Sequence, residues 1–217
     1  MKLIQQDDVW ILDLGDGENR FDGRFVEEYL ALLDEVQAAP APRALVTTAT
    51  GKFYSNGLDL DWAATDGRIR EDRVALVHEV YARLLAADFV TVAAIQGHAY
   101  AAGAMLALAH DARVMREDRG FICLPEVDIA VPFTSGMNAL ITAKLTPAVA
   151  RSMMVFGQRF AGPEALAVSI VDGVATEADL LQRAIALAAS LAGKDPAALA
   201  TIKGELYAPA IAALRGR

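Results

Sequence analysis

The alternation of apolar and polar positions divides the chain into short buried strands and one-sided helices. Lys2 to Gln5 and Val9 to Leu14 are apolar runs separated by Asp7-Asp8, a strand–turn–strand signal. From Asp22, a capping residue, Phe25, Tyr29, Leu33 and Val36 recur at helical spacing and predict a helix to about Ala38, ended by Pro40 and Pro42. Ala44 to Ala49 is apolar and threonine-rich throughout, as expected of a strand covered on both faces. Arg68 to Ala87 predicts a long helix, with Val77, Tyr81, Leu84 and Asp88 marking one side, Glu79 and Arg83 as an i,i+4 pair, and His78 on its flank. Thr91 to Ile95 is a second buried strand. After a turn at Gln96-Gly97-His98, small residues from Ala99 to Gly103 lead into an apolar helix ending near His110. Ala112 to Arg116 and Phe121 to Leu124 are further strands about a turn at 117–120.

Beyond Pro132 the pattern turns helical. Thr134 or Ser135 caps a helix from Gly136 to Lys144, Pro147 opens one to about Phe156, and Gly162-Pro163 opens a short one through Val168. Ile170 to Ala175 reads as an edge strand. Thr176, with Asp179 three residues on, resembles a capping box for a helix to Leu191, and Asp195-Pro196 opens the last helix. The apolar Ala/Leu face of that helix needs a cover, for which a neighbouring subunit is a candidate. The pattern is that of an α/β core over 1–132 with a helical region over 133–217 packing on it as one domain, without repeats or low-complexity linkers.

Composition narrows the function classes. The 217 residues are 54% apolar and 22% charged, enough for one sizeable core, and no apolar run is long enough to cross a bilayer. The net charge of −8 argues against nucleic-acid and anionic-membrane partners, so an anionic ligand would be held by local cations and backbone amides. Arg20, Arg24, Lys52 and Lys203 are the cations on hand. With Cys123 as the lone cysteine there is no internal disulfide or cysteine metal cluster, and His78, His98 and His110 lack metal-ligand spacing. The first ten residues, MKLIQQDDVW, carry no signal-peptide h-region, and the terminal Leu-Arg-Gly-Arg does not read as a peroxisomal or retention address; a reducing cytoplasm is the expected compartment.

Two stretches carry chemistry. Gly51 to Leu60 and Gln96 to Ala102 are both turns leaving a buried strand and opening a helix, rich in Gly, Ser, Asn and Ala. The first N–H groups of a helix lack partners within it and carry partial positive charge, which suits an anion or a developing oxyanion. The same small residues equally serve close helix–sheet packing. Ser55 in Phe53-Tyr54-Ser55-Asn56-Gly57 resembles a nucleophile elbow but lacks its first glycine, so a hydroxyl bonding its own turn is the stronger reading. Glu126 follows an apolar strand and Pro125. Hydrophobic surroundings would raise its pKa toward that of a general base, whereas a solvent-facing or turn-capping Glu would not titrate unusually. Asp128 competes: if the segment is extended, residues two apart share a face.

Together Gly51–Leu60, Gln96–Asp111 and Arg159–Val174 resemble three signature segments of the crotonase superfamily, the enoyl-CoA hydratase/isomerase family, in order and over nearly the whole chain. The resemblance implies a spiral of ββα units with a C-terminal α-helical trimerisation region, an acyl-coenzyme A thioester substrate, no separate cofactor, and a homotrimer or dimer of trimers. It places an oxyanion hole at the backbone N–H groups of Leu58 and Ala102, with Ser55 and Asn56 beside Leu58 in the ligand-binding turn. Ala101 and Ala102 stand where the family often has Gly, and Gln96 replaces the usual Asn. The hydratases of the family use two glutamates; Met105 occupies one position and Glu126 the other. A lone acid suits a proton shuttle, and the run from Glu126 to Phe133 looks like the Δ3,Δ2-enoyl-CoA isomerase branch. The alternatives are a hydratase with its second acid at Asp128 or Asp61, a hydrolase or decarboxylase on the same frame, and a silent CoA-binding subunit. The chain ends earlier than many relatives, so reduced cover over the acyl chain is expected.

Overall fold

The computed structural model describes residues 1–65 and 68–216; Arg217, the end of the terminal tetrapeptide, lies outside the described residues. β1 (Lys2–Gln6) and β2 (Val9–Asp13) form an antiparallel hairpin about Asp7-Asp8, with Asp7 at φ 51°. In α1 (Gly23–Ala38) the Asp22 carboxylate accepts the Phe25 N–H at 2.7 Å, and the buried face is Phe25, Val26, Tyr29, Leu33 and Val36. The cap fixes the start and the apolar stripe fixes the face.

From there the chain winds as a spiral. β3 (Ala44–Thr48) is followed by β4 (Phe53–Ser55), the short helix α2 (Leu60–Ala63), a two-residue pair β5 (Ala64–Thr65) and β6 (Arg68–Ile69), and the long α3 (Glu71–Ala86). The second turn is β7 (Val90–Ile95), β8 (His98–Tyr100) and α4 (Ala102–Ala109); the third begins with β9 (Ala112–Arg116) and β10 (Ile122–Cys123). In each turn the first strand joins one large sheet, ordered β1-β2-β3-β7-β9 and then an edge strand β11 (Gly173–Ala175), and the second joins a small sheet ordered β10-β8-β4. Apart from the β1–β2 hairpin both sheets are parallel, with Ala44 beside Val90 and Val92 beside Ala112. The corners between sheets stack closely: a Cβ on Gly97 would lie 2.2 Å from the Lys52 carbonyl oxygen, so only glycine fits there.

The remaining helices are α5 (Ser135–Lys144), α6 (Pro147–Phe156), α7 (Gly162–Ala167), α8 (Leu180–Leu191), α9 (Pro196–Leu206) and α10 (Ala208–Leu214). α8 covers one face of the large sheet through Leu180, Ala184, Ile185 and Ala188 against Val46, Val92 and Val114. The other face carries the main core, in which α3, α4, α5 and α10 pack with Tyr29, Tyr54 and Tyr81. Residues after 133 thus supply a strand and a covering layer to the core as well as helices.

Several expected details differ for identifiable reasons. The helix expected from Arg68 starts at Glu71, because Arg68–Ile69 pairs back on Ala64–Thr65. Asp88 lies past its end and forms a two-pronged ion pair with Arg43. Glu79 pairs with Arg215 and Arg83 with Asp34, tertiary partners that replace the i,i+4 pair. His78 is buried between Leu214, whose carbonyl meets Nδ1 at 3.2 Å, and Thr134, whose hydroxyl meets Nε2 at 3.0 Å. Thr134 is the cap of α5 and accepts the Met137 N–H. The Thr176 hydroxyl bonds Asp179 and closes a turn before α8 without capping its first N–H groups. The last helical stretch breaks at Tyr207 into α9 and α10.

Candidate active site

β4 ends at the first junction. Phe21 forms a parallel bridge with Leu58: the Phe21 N–H donates to the Gly57 carbonyl at 2.9 Å, and the Asp59 N–H donates to the Phe21 carbonyl at 3.0 Å. In such a bridge the N–H and C=O of the intervening Leu58 face the opposite way. Among the described residues the Leu58 N–H has no backbone partner, and Leu58 lines a cavity of about 430 Å³.

The second junction lies against the first. Gly57 sits at φ 87°, and a Cβ there would come within 2.9 Å of the Tyr100 carbonyl oxygen and 3.3 Å of the Ala102 nitrogen. Ala102 is the first residue of α4, so its N–H has no acceptor within the helix, and it lines the same cavity. Ala101, at φ 50° and ψ −120°, turns the Ala101–Ala102 peptide into that orientation. A non-glycine residue there stores about 1–3 kcal/mol of backbone strain. The Tyr81 hydroxyl donates to the Ala102 carbonyl at 2.9 Å and ties α4 to α3.

Glu126 reaches the same cavity from the turn after β10. Pro125 sets a helical φ, so Pro125–Val127 forms a 3-10 turn and not a strand. Glu126 and Asp128 therefore do not share a face: Glu126 is 4% exposed and lines the cavity, whereas Asp128 is exposed and points elsewhere. Among the described residues no cation pairs with Glu126. Its Oε2 is buried without a hydrogen-bond partner, and burial raises the carboxyl from 4.5 to about 7. Its charge in turn helps push the Tyr81 hydroxyl upward, after burial itself. Met105, on α4 with Ala102, is fully buried and lines the cavity, and Asp61 is the second carboxylate lining it.

The other expected site residues divide. Asn56 lines the cavity; Ser55 does not, because its buried hydroxyl donates to the Asn19 carbonyl at 2.7 Å and accepts the Gly57 N–H at 3.2 Å. Those bonds, with the three histidines engaged elsewhere, remove the nucleophile reading. Of the cations, Arg20 lines the cavity, while Arg24 and Lys52 are exposed. Lys203 is withdrawn: it is buried and bonds Asp111 at 2.8 Å, which also accepts the Thr91 N–H and hydroxyl. Arg20 and Asp61, a candidate cation and a candidate second acid in the sequence, both line the cavity; only the fold shows that they share it. A second cavity of about 970 Å³, between α3, α5 and α10, shares Leu58, Val131, Pro132 and Met137 with the first. α10 walls it through Ala213 and Leu214.

Two junctions of a ββα spiral, at Leu58 and Ala102, that line one cavity with a single buried glutamate define a crotonase-type protein. Comparison with known proteins places it further: residues 8–215 match the enoyl-CoA hydratase/isomerase family, and the chain belongs to that family. It is 38% identical over 95% of its length to enoyl-CoA delta isomerase 2, peroxisomal, of Arabidopsis thaliana, covering 88% of that protein. It is 33% identical over 76% of its length to carnitinyl-CoA dehydratase of Escherichia coli K12, covering 62% of that protein. Among solved structures, an enoyl-CoA isomerase of Mycobacterium tuberculosis superposes with a TM-score of 0.90 at 26% identity, over 99% of this chain and 94% of the other.

Proposed function

We propose that this enzyme isomerises 3-enoyl-CoA to 2-enoyl-CoA thioesters. The Glu126 carboxylate takes a proton from C2, and the electron pair moves into the thioester to give a dienolate. The N–H groups of Leu58 and Ala102 hold the enolate oxygen. Glu126 then returns the proton to C4, leaving the double bond conjugated with the thioester. No water or redox partner is consumed. An acid held near pH 7 suits both halves, since it must accept a proton and surrender it. Each amide contributes about 2.7–4 kcal/mol to the charged transition state.

The observation that carries this reading is the unpartnered Glu126 Oε2 in the cavity lined by Leu58, Ala102 and Met105. A methionine cannot activate water, which favours proton shuttling over hydration. The names of the Arabidopsis relatives, isomerases at 33–38% identity, support the same choice. Asp61 keeps hydration as the second reading, because it lines the same cavity. An assay with a 3-enoyl-CoA tests the proposal: absorbance of the conjugated product should rise with native enzyme and not with Glu126→Gln. Water addition to a 2-enoyl-CoA without isomerisation would overturn it.

The family resemblance also supports a homotrimer or a dimer of trimers, and exposed apolar side chains at Val155, Phe156, Ile202 and Leu206 are consistent with covered helix faces. The single, buried cysteine fits a cytoplasmic compartment.

A further inference from the structure

We infer that Asn19 is a positioning residue for the oxyanion hole, holding β4 so that the Leu58 N–H stays aimed into the cavity. The inference rests on the proposed isomerase reading. β4 is only three residues long, and its ladder with β8 is irregular between Phe53 and Ser55, so pairing alone holds it weakly. Asn19 supplies what the ladder lacks. Its Nδ2 donates to the Phe53 and Tyr54 carbonyls at 3.2 and 3.1 Å. Its own carbonyl accepts the Ser55 hydroxyl, which in turn accepts the Gly57 N–H. The flanking residues continue the contact: the Asn56 N–H donates to the Glu18 carbonyl at 2.8 Å, and the Phe21 N–H donates to the Gly57 carbonyl. That last bond falls on the peptide group whose N–H is the Leu58 donor. Hydrogen bonding at the carbonyl polarises the peptide and strengthens its N–H.

Asn19 stands at φ 50°, a left-handed conformation that asparagine tolerates and most residues do not. The Gln96 Nε2 also donates to the Phe53 carbonyl, at 2.9 Å, so two carboxamides meet on one oxygen of this strand. Asn19 does not line the cavity and acts on substrate only through the strand it grips.

Two variants test the inference. Asn19→Gly keeps the left-handed backbone and removes the side chain; Asn19→Asp keeps the shape and replaces the donor by an oxygen. The readouts are kcat and KM with a 3-enoyl-CoA, and the infrared stretch of the thioester carbonyl in enzyme-bound 2-enoyl-CoA. In the native enzyme the stretch should move to lower frequency than in solution. In both variants it should return toward the solution value, with kcat lowered about tenfold and KM changed less than threefold, because a displaced donor loses part of what a deleted one loses. Variants that retain the native carbonyl shift with kcat within twofold, or that alter KM alone, would overturn the role of Asn19. Absence of the shift in the native enzyme would instead remove the proposed oxyanion hole.

Discussion

Replacing Glu126 with Gln should abolish turnover and at the same time make the protein more stable at alkaline pH. The carboxyl titrates near 4.5 when unfolded and is raised to about 7 in the fold by burial without a partner. A raised acid pKa means that the native state holds its proton more tightly than the unfolded chain. The associated stability is full below pH 4.5 and is lost as pH rises through 7. At about 1.36 kcal/mol per unit, this 2.5-unit difference costs the native protein about 3 kcal/mol at pH 8 and less than about 1 at pH 5. Gln cannot ionise, so the variant escapes this loss. Burying its amide has a cost common to both pH values, which makes the change in stability difference between pH 5 and pH 8 diagnostic. Urea denaturation of both proteins at the two pH values measures it, provided the slopes agree. The variant should gain about 2–3 kcal/mol on native protein between pH 5 and 8. Parallel stability curves would refute the account of Glu126 as a buried, unpaired acid, and turnover retained in the variant would refute its role.

Other consequences are equally direct. His110 is buried, its Nδ1 meeting the Leu106 carbonyl and its Nε2 the Thr47 hydroxyl, and burial lowers it from 6.5 to about 4. Its contribution is present above pH 6.5 and lost as pH falls toward 4, opposite in sign to that of Glu126, so Glu126→Gln should steepen acid unfolding in this window; an unchanged acid limb would contradict it. Lys203→Met leaves the half-buried Asp111 with only its Thr91 donors and should cost about 1–3 kcal/mol in chemical denaturation; no measurable loss would contradict the pair. Ala101→Gly releases the strain at φ 50° and should raise stability by about 1 kcal/mol after the entropy cost of glycine; a lower melting temperature would argue against strain. Met105→Glu places a second acid in the cavity and should yield measurable water addition to a 2-enoyl-CoA. None at all would show that a second carboxylate there is not sufficient for hydration.

How far the sequence could be read follows from the length of each signal. α1 was legible to within a residue, because sixteen residues carry a cap, an apolar stripe and terminating prolines. The large-sheet strands were legible as continuous apolar runs. The small sheet was legible only in part: Ile122–Cys123 falls within the strand expected from Phe121 to Leu124, whereas Phe53–Ser55 and His98–Tyr100, three residues each, are too short for any periodicity and lie inside stretches that read as turns. Leu58, Ala102 and Glu126 could be singled out because turn chemistry and family motifs are local, and the fold brings all three to one cavity. The burial of Lys203 and the grip of Asn19 could not, because Asp111 and β4 are distant in the chain. Asp128 misled through strand periodicity, which a single proline cancelled.

The most direct test is a crystal structure with an unreactive acyl-CoA. The thioester oxygen should lie about 2.7–3.1 Å from the nitrogens of both Leu58 and Ala102, with a Glu126 oxygen about 3–3.5 Å from C2 and within reach of C4. A thioester bound elsewhere, or a Glu126 carboxylate facing away from C2, would contradict the account.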